Sequence, residues 1–215
     1  MKNIKYVLLL FVLIGFTACN EPEDVLEDNN IDTTTEVLPE LTAGTADFST
    51  FVSIGNSLTA GYTDNALFIA AQENSFPNTL AQKFALINGG DFIQPLMNDN
   101  FGGLALGGTR IAQPRLVFGG AGPVPLESLI GPVTVTTDLA VNNPTGPFNN
   151  MGVPGAASFH LIAPGYGNIG NLPSAANPYF VRMTGGTPNA TIMEMAVAQA
   201  PSFVSLWIGN NDVLG

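Results

Sequence analysis

Ser57 stands between two glycines in Gly55-Asn56-Ser57-Leu58-Thr59-Ala60-Gly61, directly after the β-prone run Phe51–Ile54. A Ser at that place lies on a sharp turn past a buried strand, with its hydroxyl presented to solvent. Two other segments carry complementary groups. Asn150-Met151-Gly152-Val153-Pro154-Gly155-Ala156 offers glycine N–H groups that a substrate can approach closely, and Gly209-Asn210-Asn211-Asp212 offers neutral amide donors. Acyl transfer needs a nucleophilic hydroxyl, together with N–H donors aimed at the oxyanion of a tetrahedral intermediate. Ser57 is therefore the candidate nucleophile. Gly155 and Asn211 are the candidate oxyanion donors, with Gly152 a near competitor of Gly155.

A serine nucleophile also needs a base. His160 is the one His of the sequence, but it follows the second segment and has Ala157, not an acid, three residues before it. It reads as a structural or pocket-lining residue. Asp212 reads as a local hydrogen-bonding group that fixes its own turn. Gly165-Tyr166-Gly167-Asn168-Ile169-Gly170 matches the dinucleotide pattern GxGxxG, but Pro164 precedes it in place of a strand and Asn171-Leu172-Pro173 follows in place of a helix. It reads as a Gly-rich loop. The acids of the body lack the spacing of a metal cage. The proposed chemistry calls for no metal or organic cofactor.

The elements that must hold these groups are partly legible. Phe51–Ile54 and Ser202–Ile208 read as strands that stop at Gly55 and Gly209. Ser75 as N-cap and Pro77 in the first turn open a helix with Leu80, Phe84 and Ile87 on one face, ended by Gly89-Gly90. Thr191–Ala200 reads as a second helix that feeds the Ser202–Ile208 strand through Pro201. That is half of a βαβ unit and predicts a parallel α/β sheet. In such a sheet the strands' C-terminal ends share one edge, where ligands bind. Two segments sit there directly, and the second joins them if Pro147–Met151 ends a strand. From about Phe92 to Pro188 the chain reads as long Gly/Pro-rich insertions with one strand at Val133–Thr137. Trp207, Met193 and Met195 read as core.

GNSLTAG, NMGVPGA and GNND, in that order, resemble blocks I, II and III of the SGNH/GDSL hydrolase family over residues 48–215. The resemblance implies a flavodoxin-like three-layer αβα sandwich and a serine ester hydrolase acting on carboxylic esters. It makes Ser57 the nucleophile, with Gly155 and Asn211 completing the oxyanion hole. Asn56 replaces the family's usual Asp, a position that is not the catalytic acid. The family's block V, an Asp-x-x-His that supplies base and acid, has no counterpart within residues 1–215, and neither have the further β/α units that follow block III in the family. The expectation is an N-terminal portion of a longer protein. Two rival readings are a noncatalytic lipoprotein that binds glycan or lipid with the same fold, and a truncated product without a function of its own.

The ends and the composition add an address. Lys2 and Lys5 precede an apolar run, Tyr6–Ala18, which at 1.5 Å per residue reaches roughly 20 Å and is too short to span a membrane. It reads as a signal peptide over residues 1–19, with Phe16-Thr17-Ala18-Cys19 resembling a bacterial lipobox. Cys19, the one Cys of the chain, is the candidate lipidation site, which excludes a disulfide framework. Glu21–Glu40 holds eight acids and no base, so residues 20–41 read as an extended acidic tether, either a featureless spacer or a segment that resembles the export signal of surface lipoproteins in Bacteroidetes. The expected location is the outer membrane, with the protein lipid-anchored and facing outward. Net charge is −11 and no basic stripe exists, which speaks against nucleic-acid binding. The expected partners are a membrane and a small-molecule, carbohydrate or lipid ester. Residues 42–215 form the expected globular domain.

Overall fold

The computed structural model describes residues 40–214; the signal peptide, Cys19 and nearly all of the acidic tether lie outside the described residues. Strand β1 (Phe51–Gly55) is buried along its whole length. Its apolar run has no polar face to turn outward, so it forms the middle of a parallel sheet with neighbours on both sides. One neighbour is β6 (Asn150–Gly152) and the other β7 (Phe203–Trp207), in the order β6-β1-β7. Gly55 is level with Gly152 on one side and with Trp207 on the other. The expected parallel α/β sheet is thus present among the described residues.

Three short helices follow β1: α1 (Ser57–Ala60), α2 (Ile69–Glu73) and α3 (Phe76–Ala85). Side chains alternate along β1, and each face is covered by a different helix. Phe51 meets Phe84 of α3 edge-on at 5.1 Å and stacks on Phe92 at 5.2 Å. Val52 and Ile54 enter the main core with Met151, Phe148, Phe180 and Ile192. Ile192 and Ala196 belong to α6 (Ile192–Val197), which thus packs against the face opposite α3. Helix α6 is opened by a reciprocal cap: Thr191 Oγ1 accepts from the Glu194 N–H, and a Glu194 carboxylate oxygen accepts from the Thr191 N–H.

Between α3 and β6 lie two antiparallel hairpins, β2 (Leu104–Leu106) with β3 (Thr109–Ala112) and β4 (Leu116–Phe118) with β5 (Pro123–Pro125), followed by α4 (Leu126–Ile130). No strand forms at Val133–Thr137, contrary to the sequence reading. Side chains have taken its backbone groups: the Val133 N–H donates to Glu127, Arg110 donates to the Val133 carbonyl, and Asn98 and Asn142 donate to the Thr136 carbonyl. With those groups satisfied, the segment stays extended and bridges to Ala105 only at Asp138.

Other boundaries also shift. Helix α3 ends at Ala85, before the glycines, and the left-handed residue that follows is Asn88 (φ 66°). Ser75 is its N-cap residue by position, yet its hydroxyl donates to Gln94 and does not cap the helix. Trp207 is not core. It is 48% exposed, because β7 is an edge of the sheet among the described residues. Met193 and Met195 pack against the main core from its rim.

Helix α1 lies so close on β6 that a Cβ at Gly152 would come within 2.3 Å of the Ala60 nitrogen. Gly152→Ala must push α1 off the sheet. Overpacking of this kind costs about 1–3 kcal/mol, which should lower the urea midpoint with an unchanged m-value.

Candidate active site

Asn56, the last residue before α1, is 1% exposed and works in two directions. Its side-chain oxygen accepts from the Leu58 N–H at 3.1 Å and caps the helix. Its amide nitrogen donates to Asn210 Oδ1 at 3.1 Å and so ties the first motif to the third. An amide has both a donor and an acceptor to spend here, whereas an ionised Asp would have acceptors alone. Ser57 is the first residue of α1, half-buried, and its hydroxyl makes no hydrogen bond among the described residues. The α1 turn closes at Gly61 (φ 81°), whose N–H donates to the Ser57 carbonyl.

The second motif is locked to the first. Asn150 Nδ2 donates to the Thr59 carbonyl at the end of α1 and to Gln94, each at 3.0 Å, while its oxygen accepts from the Gly152 N–H. The two candidate glycines have different places. Gly152 is buried within β6 beneath α1, whereas Gly155 (φ 81°) is exposed on the loop that follows. Only Gly155 of the two lines a cleft of about 670 Å³, together with Ala157, Phe159, His160, Asn211 and Asp212. Asn211 sits on α7 (Asn210–Leu214), just past β7, and donates one amide hydrogen to the Ala156 carbonyl at 2.8 Å. Ser57 is not among the residues that line this cleft; its place is the end of the central strand between the other two.

The main partner of the Asp212 side chain lies outside its own turn. The carboxylate reaches across to Ser158, accepting from the backbone N–H at 2.9 and 3.1 Å and from the hydroxyl at 2.5 Å. The Ser158 hydroxyl, then its N–H, hold the Asp212 carboxyl below the usual carboxylate range. The link joins the loop after β6 to the helix after β7, the two elements that carry Gly155 and Asn211. The spacing between Ser158 and Asp212 could not have signalled it, because the residues are 54 apart.

His160 lies in the short 3₁₀ turn Ser158–Ile162, its ring stacked on Tyr166 at 4.2 Å. Its Nδ1 accepts from the Ala157 N–H at 2.9 Å. The neutral ring therefore carries its proton on Nε2. A nitrogen that already bears a proton cannot take one from a serine hydroxyl, so in this arrangement His160 is not poised as a general base. Burial pushes its pKa below the ordinary His value, opposed by the Asp212 carboxylate. Gly165–Gly170 forms turns and the start of a short 3₁₀ segment, as a Gly-rich loop should. Among the described residues no cluster of three His, Cys, Asp or Glu could hold a metal ion, and no helix is long and apolar enough to cross a membrane.

No protein-family model, no curated protein and no solved structure matches this chain.

Two outcomes follow from the electrostatics. The Asp212–Ser158 link has a depressed folded-state pKa, so its contribution is present above about pH 4 and is lost as pH falls through the folded value. The Ser158 amide resonance should report that midpoint and lose it in Asp212→Asn. Asp212→Asn also removes the charge that raises the His160 pKa, so a ¹⁵N NMR titration should show His160 protonating at still lower pH than in the parent protein.

Proposed function

We propose that this chain carries the oxyanion-forming half of an SGNH/GDSL-type serine ester hydrolase, in which Ser57 attacks a carboxylic ester and forms an acyl-enzyme. One observation carries the reading: three motifs that are far apart in sequence follow three adjacent parallel strands, with the nucleophile on the central one. The flavodoxin-like three-layer sandwich belongs to this proposal, supported by helices against both faces of β1.

Each residue has a defined task. Ser57 Oγ adds to the ester carbonyl, and the carbonyl oxygen becomes an oxyanion. The Gly155 N–H and the Asn211 amide hydrogen not given to Ala156 receive that charge. Collapse of the intermediate expels the alcohol and leaves the acyl group on Ser57; water then releases the acid and restores the hydroxyl. Both halves need a general base. His160 does not provide it, and the reading assigns base and acid to a block V motif outside these 215 residues. The anchor at Cys19 and the outer-membrane location, with an ester substrate of small-molecule, carbohydrate or lipid type, are part of the same proposal. The anchor and the location rest on the signal, lipobox and acidic-tether pattern, and the substrate class rests on the three motifs.

The experiment is hydrolysis of a short-chain chromogenic ester by the full-length protein in which this sequence occurs. Ser57→Ala should reduce kcat by on the order of 10⁴-fold or more. Asn211→Ala should reduce it by about 10²–10³-fold with KM little changed. Activity that survives Ser57→Ala would remove the nucleophile from the scheme. Absence of ester hydrolysis, with glycan or lipid binding retained, would favour a noncatalytic binding lipoprotein.

A further inference from the structure

Arg182, just past α5 (Pro178–Val181), is 1% exposed and is the bulkiest of the fully buried side chains. Its Nη2 donates to the Leu96 carbonyl at 2.5 Å, while Nε is buried and has no partner among the described residues. Among those residues the one salt bridge joins Arg110 to Glu127, so no carboxylate faces Arg182. Burial pushes the guanidinium down to about 10, which still leaves it charged at neutral pH. An unpaired charge withdrawn from water is strongly unfavourable unless something neutralises it.

Arg182 borders a small cavity, with Gln72, Asn150, Tyr179, Gly152 and Ala60 also in its wall. No wall residue is acidic. The amide oxygens of the wall are engaged already, Gln72 Oε1 by the Met97 N–H and Asn150 Oδ1 by the Gly152 N–H. The cavity is small, with a volume of about 10 Å³. A sulfate, a phosphate or a carboxylate is too large. A water molecule would give Nε a partner but leave the charge, whereas a single-atom anion, somewhat larger than water, neutralises the guanidinium once the wall moves slightly outward.

We infer that this cavity is a buried binding site for one halide ion, chloride in ordinary media, held by the Arg182 guanidinium against the wall formed by Gln72, Asn150 and Tyr179. The ion sits behind Ala60 of α1 and Gly152 of β6. It therefore braces, from inside, the contact that sets the helix of Ser57 against the strand leading to Gly155. The site does not depend on whether Ser57 is a nucleophile.

The test is the thermal unfolding of the full-length protein in sodium chloride against sodium gluconate, at equal ionic strength and pH. Once chloride exceeds its Kd, each tenfold increase should raise Tm by roughly 3–5 °C, the shift expected from linkage for a domain of this size. Bromide should act as chloride does, and Arg182→Met, which keeps the bulk without the charge, should abolish the chloride dependence. Should Arg182→Met fail to fold, crystals of the parent protein grown in bromide should show an anomalous peak within the cavity. An equal Tm in the two salts, a chloride dependence kept by Arg182→Met, or a cavity without bromide would each overturn the inference.

Discussion

The in-register parallel pairing of β1 with β6 and β7 is the constraint on which the site depends. Because Gly55 is level with both Gly152 and Trp207, the chain leaves all three strands at one height. Each motif then needs only a few residues to reach the same edge. The pairing itself follows from burial: Phe51–Gly55 has no solvent face and must be flanked and covered. Small residues set how closely the layers approach. At Gly152 the missing side chain lets α1 rest directly on β6, which holds Ser57 over the sheet.

Around that edge, neutral amides do the joining and the charged groups are few. Asn56 links the first motif to Asn210, Asn150 links the second to Thr59, and Asn211 links the third to Ala156. Amides can give and accept at once, so a chain of them satisfies donors and acceptors without importing charge where an oxyanion would form. The one nearby carboxylate, Asp212, is engaged three times by Ser158. His160 is neutralised by burial and by the Ala157 N–H. The edge thus combines neutral amides with a single carboxylate that Ser158 already occupies. Deeper in, Arg182 presents the opposite problem, a positive charge enclosed without a counter-charge among the described residues.

Local signals suffice where they are strong. The β-prone runs at Phe51 and Ser202, the Thr191 helix start and the loop character of Gly165–Gly170 all have causes within a few residues of themselves. The extended segment at Val133–Thr137 has strand composition too, yet pairing is decided by what lies alongside. There Arg110, Glu127, Asn98 and Asn142 occupy its backbone groups first. Trp207 is exposed for a related reason, since an apolar residue in a strand is core only if the strand has cover on the relevant side.

The sequence by itself determined the order and chemistry of the three motifs, the strand before Ser57 and the strand before Asn211, because these depend on residue type and short-range periodicity. Tertiary structure alone decided that β6 ends level with β1, and that Gly155 faces the cleft while Gly152 lies beneath α1. It likewise decided that Asp212 is held by Ser158 and that His160 spends its Nδ1 on the Ala157 N–H. These depend on groups 54 or more residues apart, or on which ring nitrogen meets which N–H. Such contacts arise from packing around a shared sheet, and no local pattern encodes them.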